Sequence, residues 1–167
     1  CIEKEVDPNL EMASIHLEEF KKQGKAILFQ RIKGSRYRAC SNLFGSISRS
    51  RQFFKESLDD IKSLIDLRNQ PQILLKEPFK FVKILLRARF YLPKKVAFPK
   101  NFKEINISDL PQIKCWPNDG GAFITLPQVY TEDIDSPGVL NSNLGMYRIQ
   151  ISGNQYVKNK EIGLHYQ

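Results

Sequence analysis

The sequence predicts a mixed α/β protein in which a layered α/β domain is followed by β-rich sequence. Two observations support this fold class. Apolar residues recur at helical spacing in three stretches of residues 1–104, with short apolar runs after the first of them. In residues 105–167, short β-like runs are separated by Gly, Pro, Asn and Asp. We therefore predict one domain over residues 1–104 and the start of a second over residues 105–167.

The first predicted element is an amphipathic helix that begins at Asp7-Pro8 and ends before Gly24. Asp is a favoured N-cap, and Pro is favoured at the first helical position. Two strands follow, over residues 26–29 and 37–40, with Lys33-Gly34-Ser35 as the turn between them. The apolar stripe of the helix consists of Leu10, Ala13, Leu17 and Phe20.

Two more helices are predicted before the boundary. Ser57-Leu58-Asp59-Asp60 resembles a capping box with Asp in place of Glu, and this helix stops at Asn69-Gln70-Pro71. The next helix covers residues 77–92 and is strongly basic, and residues 93–111 form a Pro- and Lys-rich surface connector. We expect the buried face of the first of these helices to consist of Leu58, Ile61, Leu64 and Ile65.

Short strands dominate the second part of the chain. They are predicted over residues 113–116, 122–126, 129–131 and 145–151, and their spacing favours an antiparallel sheet or barrel. Asn118-Asp119-Gly120-Gly121 is a tight-turn signal between two of these runs and, taken alone, predicts a hairpin.

The composition narrows the class of protein. Hydrophobic residues make up 41% and charged residues 26% of the chain, which predicts a packed core. No apolar run approaches the roughly 18 residues of a membrane span, so a cytoplasmic location is expected. Cys1, Cys40 and Cys115 form no CxxC pair, which argues against a disulfide framework and a zinc site.

The net charge of +8 is unevenly distributed, since residues 1–104 hold 22 basic and 12 acidic side chains and residues 105–167 hold 4 and 6. A basic surface can attract nucleic acid, anionic lipid or phosphorylated ligands. Acidic residues are interleaved here and no nucleic-acid-binding motif accompanies them, so no nucleic-acid partner is expected. A non-catalytic basic module that docks nucleic acid or an acidic partner stays as the alternative function.

Several motifs occur in a fixed order. The second part holds Leu110-Pro111, Trp116-Pro117, Asp119-Gly120-Gly121-Ala122-Phe123-Ile124-Thr125, Thr131-Glu132-Asp133 and Asn143-Leu144-Gly145-Met146-Tyr147-Arg148. The first part holds Glu5-Val6-Asp7-Pro8-Asn9-Leu10-Glu11, Lys33-Gly34-Ser35-Arg36 and Ser41-Asn42-Leu43-Phe44-Gly45-Ser46. Together they resemble the UbiD family of reversible decarboxylases, and a series of this length is far more specific than a lone glycine-rich loop.

The resemblance implies a carboxy-lyase that uses prenylated FMN, a divalent metal such as Mn²⁺, and a monovalent cation such as K⁺. The substrate would be an aromatic or α,β-unsaturated acid, with polyprenyl-4-hydroxybenzoate of quinone biosynthesis as the expected one. The second domain would be the beginning of a split β-barrel that binds the flavin. Further implied partners are a flavin prenyltransferase as cofactor supplier, other copies of the full-length protein, and a membrane surface contacted through a prenylated substrate.

The resemblance also assigns roles to residues near the end of the β-rich part. Asn143 matches a metal-ligand position, and an amide oxygen suits a hard cation. Taken alone, Asn143 would be interpreted as a residue that caps its own backbone. Met146, Tyr147 and Arg148 match a cofactor-contacting stretch, in which we expect Met146 and Tyr147 to act through their backbone.

Arg148 is the candidate catalytic residue, because its planar fork can bind the flavin phosphate or the substrate carboxylate. His165, Tyr166 and Gln167 match a second cofactor-contacting stretch. The family's metal-binding His and Glu and its proton donor would follow Gln167. Because the chain begins on Cys1 and stops after an apolar run, we expect it to be an internal piece with half a site and no turnover of its own.

Overall fold

The computed structural model describes residues 1–88, 90, 96–97 and 99–164. The chain forms two compact units, Cys1–Ser46 with Asn101–Gln167, and Ile47–Lys100. Helices and three small sheets occur in the described residues, which confirms the mixed α/β class. The domain boundary at residue 104 stays a prediction.

The first unit begins with a three-stranded sheet and one helix. In chain order these are β1 (Ile2–Val6), α1 (Glu11–Lys21), β2 (Ile27–Ile32) and β3 (Ala39–Ser41). The central strand β2 is parallel to β1 and antiparallel to β3. Both strands predicted in this region are confirmed, whereas β1 was missed because three charged, exposed residues separate Ile2 from Val6.

The core of this sheet is small and draws on both ends of the unit. Its buried members are Val6, Met12, Ile27, Phe29 and Ile32. Ile113, more than 80 residues further along the chain, packs against this cluster. The sheet and the β-rich segment therefore share apolar contacts.

Helix α1 begins at Glu11 rather than at Pro8. The Asp7 carboxylate accepts a hydrogen bond from the backbone N–H of Asn9 at 2.8 Å, which forms a local turn in place of a helix cap. Leu10 then has a φ of 69°, outside the helical range. The predicted apolar stripe is also wrong in part, because Leu17 and Phe20 are exposed and Met12 is buried.

The second unit contains four helices in its described residues: α2 (Ile47–Phe53), α3 (Leu58–Asn69), α4 (Ile73–Lys76) and α5 (Pro78–Ala88). The positions of α3 and α5 agree with the predicted helices. Residues 89 and 91–92 of the predicted basic helix, and residues 93–95 and 98 of the predicted connector, lie outside the described residues. Helices α2 and α4 were not predicted.

The prediction of which face of α3 is buried was wrong. Ile61, Leu64 and Ile65 are exposed, whereas Asp60 and Ser63 are buried. The Asp60 carboxylate pairs with Arg87 of α5 at 3.3 Å, so the polar side of α3 faces that helix. The capping box is also absent, because the Ser57 hydroxyl donates instead to the Phe54 carbonyl.

The β-rich part of the first unit forms two antiparallel sheets, so the antiparallel pairing is confirmed, whereas a single sheet or barrel was predicted. Its strands are β4 (Phe123–Ile124), β5 (Gln128–Glu132), β6 (Ser142–Met146), β7 (Ile149–Gln150) and β8 (Gly163–Leu164). Strand β7 lies between β4 and β8, and β5 pairs with β6. Residues 113–116 were predicted as a strand but contribute only a bridge between Asn9 and Lys114. No helix of the described residues is long and apolar enough to cross a bilayer.

Candidate active site at a switch between two sheets

The predicted strand over residues 145–151 is divided into two. Tyr147 and Arg148 lie between β6 and β7, where the chain leaves one sheet and enters the other. Asn143 lies in β6 opposite Thr131. Four of the predicted site residues, Asn143, Met146, Tyr147 and Arg148, are therefore grouped at one switch point. His165, Tyr166 and Gln167 lie outside the described residues.

The Asn143 side chain is exposed and is oriented by Tyr147. Its Nδ2 donates a hydrogen bond to the Tyr147 hydroxyl oxygen at 2.8 Å. This bond uses the amide nitrogen and leaves the carbonyl oxygen Oδ1 available to a ligand. A Cβ on Gly145 would lie 2.5 Å from the Tyr147 ring, so glycine at this position makes room for the ring. The Tyr147 side chain thus has a role that the sequence did not indicate.

The Arg148 side chain is half-buried and is held on two sides. Its Nη2 and Nη1 donate to the two carboxylate oxygens of Asp119 at 2.9 and 3.3 Å. Its guanidinium carbon lies 3.9 Å from the centroid of the Phe123 ring, which is a close cation–π contact. Arg148 is therefore not a freely solvated surface side chain.

Asp119 is the functional candidate that sequence reasoning missed. Its side chain is 10% exposed, and it accepts a hydrogen bond from the backbone N–H of Trp116 at 3.1 Å. Burial alone would raise the pKa of this carboxyl, but the hydrogen bonds and charge of Arg148 and the Trp116 N–H outweigh burial and lower it. Asp119 is therefore an anion at neutral pH. In the sequence it belonged to a turn signal and to one of the family motifs, 29 residues before its partner, and neither gave it a role.

The turn that carries Asp119 is fixed against the end of β7. A Cβ on Gly121 would lie 1.9 Å from the Ser152 carbonyl oxygen, so only glycine permits this approach of the two backbones. Gly153 has a φ of 83°. The backbone N–H of Ala122 donates to the Ser152 hydroxyl at 3.1 Å, and that of Ile151 donates to the Ala122 carbonyl at 2.9 Å. The turn therefore holds a defined position relative to Arg148.

Cys115 lies close enough to the Arg148–Asp119 ion pair to interact electrostatically with both residues. Burial raises the pKa of its thiol, while the positive charge of Arg148 acts in the opposite direction. A thiol with a raised pKa is a poor nucleophile at neutral pH. We assign Cys115 no catalytic role.

The described residues fit one ligand of a metal site rather than a whole one. Asn143 supplies an exposed oxygen of the kind that hard divalent cations bind. Within the ranges that the structure describes, no group of three or more His, Cys, Asp or Glu side chains is arranged to hold a metal ion.

The sequence matches two family models. Residues 92–167 match the 3-octaprenyl-4-hydroxybenzoate carboxy-lyase Rift-related domain, named UbiD. Residues 1–68 match the N-terminal domain of the same carboxy-lyase. Together the matches leave only residues 69–91 unassigned, so the chain belongs to the UbiD family.

Curated relatives support this assignment. The chain is 37% identical over 166 residues to a 4-hydroxybenzoate decarboxylase subunit of Chlamydia pneumoniae, a match that covers 97% of this chain and 27% of the relative. It is 34% identical over 171 residues to an uncharacterized protein of Archaeoglobus fulgidus, which covers 99% of this chain and 34% of that relative. The chain thus spans about a quarter to a third of the length of these relatives.

Solved structures show the same fold. The vanillic acid decarboxylase of Sedimentibacter hydroxybenzoicus, in open form, matches with a TM-score of 0.62 and 22% identity over 99% of this chain and 34% of its own. An evolved dimeric form of the UbiD-class enzyme HmfF from Pelotomaculum thermopropionicum, in complex with prFMN, matches with a TM-score of 0.59 and 20% identity, covering 99% and 34%.

Proposed function

We propose that this chain forms part of a carboxy-lyase that removes CO₂ without net oxidation from an aromatic or α,β-unsaturated carboxylic acid. The main observation behind the proposal is that Asp119 and Phe123 hold the guanidinium of Arg148 in place, at the point where the chain passes from one sheet to the other. A guanidinium fixed in this way binds an oxyanion with little further loss of side-chain freedom. Family membership and the enzymes named among the relatives support the reaction class.

Prenylated FMN is the proposed cofactor, and when bound it supplies the electron-accepting chemistry that the side chains of this protein lack. The task of Arg148 is to bind an oxyanion, either the flavin phosphate or the substrate carboxylate. Its partial burial strengthens that attraction, because the local dielectric constant is lower than in water. Met146 and Tyr147 would contact the cofactor through their backbone, and His165, Tyr166 and Gln167 are proposed as further contacts.

Asn143 is proposed as one ligand of a divalent metal such as Mn²⁺, with K⁺ as a companion cation. The Tyr147 hydroxyl holds the amide nitrogen, and this fixes the direction in which Oδ1 points. An oriented ligand loses less freedom when the metal binds. The resemblance places the further ligands of that metal, a His and a Glu, after Gln167.

The substrate proposal has a preferred member, polyprenyl-4-hydroxybenzoate of quinone biosynthesis. The carboxy-lyase named by the family models supports it, whereas the name of the Chlamydia pneumoniae relative favours unprenylated 4-hydroxybenzoate. A flavin prenyltransferase would supply the cofactor, and because that relative is named as one subunit of its decarboxylase, an assembly of several chains is favoured. We further propose that the enzyme is cytoplasmic and contacts the membrane only through a prenylated substrate.

The experiment uses the protein at its full genomic length, co-expressed with a flavin prenyltransferase. The purified protein is incubated with polyprenyl-4-hydroxybenzoate, 4-hydroxybenzoate, vanillate and cinnamate, and products are separated by chromatography. We expect CO₂ release from at least one acid and none from protein made without the prenyltransferase. A cofactor-loaded protein inactive on every acid would contradict the reaction class. Activity on another acid but not on the polyprenyl compound would overturn only the quinone assignment.

A further inference from the structure

We propose that Asp119 is a positioning residue, which presents the Nε side of the Arg148 guanidinium to an incoming oxyanion. The inference rests on the proposed function, in which Arg148 binds a phosphate or a carboxylate. Asp119 itself touches neither ligand in this scheme. It acts through the ion pair that it forms with Arg148.

The two hydrogen bonds leave one side of the guanidinium unused by Asp119. Both bonds start from the terminal nitrogens Nη1 and Nη2. A guanidinium has five N–H donors in a rigid plane, so the Nε–H and the adjacent outer N–H still point in a common direction. That pair of donors matches the spacing of two oxygens in a carboxylate or phosphate. Arg148 can therefore hold Asp119 and a ligand oxyanion at the same time.

Phe123 restricts the guanidinium further. Its ring is buried and covers one face of the group at 3.9 Å, while Asp119 fixes the in-plane direction. The side chain of Arg148 nevertheless stays 38% exposed. Solvent therefore still reaches part of this side chain, which Phe123 and Asp119 do not seal off completely.

Asp119 is itself well placed to impose a direction. The backbone N–H of Trp116 donates to its carboxylate at 3.1 Å. The turn that carries it is fixed against Ser152 by the close approach of Gly121. A carboxylate anchored by the backbone transmits its position to Arg148, whereas a carboxylate on a mobile loop would not.

Asp119 could instead act as a competitor, because its negative charge neutralises Arg148 and weakens the attraction for a second anion. The two roles predict opposite signs for the substitution Asp119→Asn. Loss of a competitor would tighten oxyanion binding, whereas loss of a positioning residue would weaken it. The anchored geometry favours weakening, by about tenfold, as is typical when a supporting partner is removed.

The test measures dissociation constants on full-length protein with four probes. FMN is compared with riboflavin, which lacks the phosphate, and 4-hydroxybenzoate is compared with 4-hydroxybenzamide, which lacks the carboxylate. We expect Asp119→Asn to weaken binding of FMN or of 4-hydroxybenzoate about tenfold, with little change for its uncharged counterpart. A change for FMN would identify the flavin phosphate as the oxyanion that Arg148 binds, and a change for 4-hydroxybenzoate would identify the substrate carboxylate. Arg148→Gln should weaken binding of the same charged probe at least as much.

The matched control is Asp60→Asn, which removes another carboxylate that is 12% exposed and paired with an arginine, Arg87. It should leave all four constants unchanged. If Asp119→Asn fails to fold, Phe123→Leu decides, because it removes the ring face yet keeps an apolar side chain at that position. Phe123→Leu should weaken binding of the same charged probe and leave its uncharged counterpart unchanged.

Two results distinguish failure of the positioning role of Asp119 from failure of the proposed function. If Arg148→Gln weakens one charged probe while Asp119→Asn tightens it or leaves it unchanged, the positioning role is overturned and the proposed function stands. An unchanged value for Phe123→Leu, where Asp119→Asn does not fold, overturns the positioning role equally. If Arg148→Gln changes no probe, the oxyanion role of Arg148 falls, and the proposed function loses its main support.

Discussion

Arg148 and Asp119 show how much of this site depends on one pair of charges. The two side chains lie 29 residues apart in the sequence and meet through two hydrogen bonds. Motif resemblance identified Arg148 and Asn143, because the family pattern surrounds both. The same resemblance included Asp119 without giving it a role, since a turn residue followed by two glycines has an adequate local explanation.

The lowered pKa of Asp119 predicts a pH dependence of stability. A carboxyl whose pKa falls on folding contributes stability that is complete above its ordinary pKa of 3.8 and is lost as pH falls through the lowered value. Urea unfolding of wild type and Asp119→Asn should therefore give a constant difference in unfolding free energy from about pH 7 to about pH 5. The difference should shrink only in strongly acidic solution. A difference that vanishes between pH 7 and pH 5 would mean that the pKa is raised.

The contact between Tyr147 and Asn143 predicts an effect on metal binding. Tyr147→Phe removes the hydroxyl oxygen that accepts from Nδ2 and leaves the ring in place. The Asn143 amide would then rotate more freely, and Mn²⁺ should bind the full-length protein about tenfold more weakly. Electron paramagnetic resonance of free Mn²⁺ measures this directly. Tyr130→Phe, which loses a surface hydroxyl bonded to Glu132, is the control. Equal affinities in wild type and Tyr147→Phe would show that Tyr147 does not orient Asn143.

Local sequence patterns predicted where a helix or strand lies along the chain better than they predicted which elements pack against it. Helix α3 lies where its turn and periodicity signals placed it. Its buried side was mispredicted because periodicity reveals that a face is apolar and not what covers it. Here an ion pair between Asp60 and Arg87 turns the polar face toward α5. Strand β8 was not predicted, because a strand of two residues is too short to show an alternation of apolar and polar side chains.

The close packing of the turn before β4 against the end of β7 predicts a loss of stability when Gly121 is replaced. Gly121→Ala places a Cβ 1.9 Å from the Ser152 carbonyl, so the backbone must move away from β7. We expect a loss of about 1–3 kcal/mol in unfolding free energy, as for other overpacked sites. Gly24→Ala is the control, because the atoms nearest to its Cβ would belong to the flexible Glu19 side chain. Chemical denaturation measures both variants. A loss for Gly24→Ala as large as that for Gly121→Ala would contradict the account of the turn.

For the molecule as a whole, the sequence predicted the class of fold and the antiparallel strands. It did not predict that the run 145–151 is divided between two sheets. That division follows from pairing with β5 on one side and with β4 and β8 on the other, which is tertiary information. The candidate site lies at the division, so its geometry could not be derived from the run itself.

The central claim is that Arg148, held at the sheet switch, binds the oxyanion in a decarboxylation. The most direct test is CO₂ release by full-length Arg148→Lys, measured with the acid that wild type accepts. Lysine keeps the charge but loses the planar fork, so it cannot bind Asp119 and a ligand in the same plane. We predict a fall in kcat/KM of at least about 100-fold with the fold unchanged by circular dichroism. A lysine variant with wild-type kcat/KM would contradict the claim.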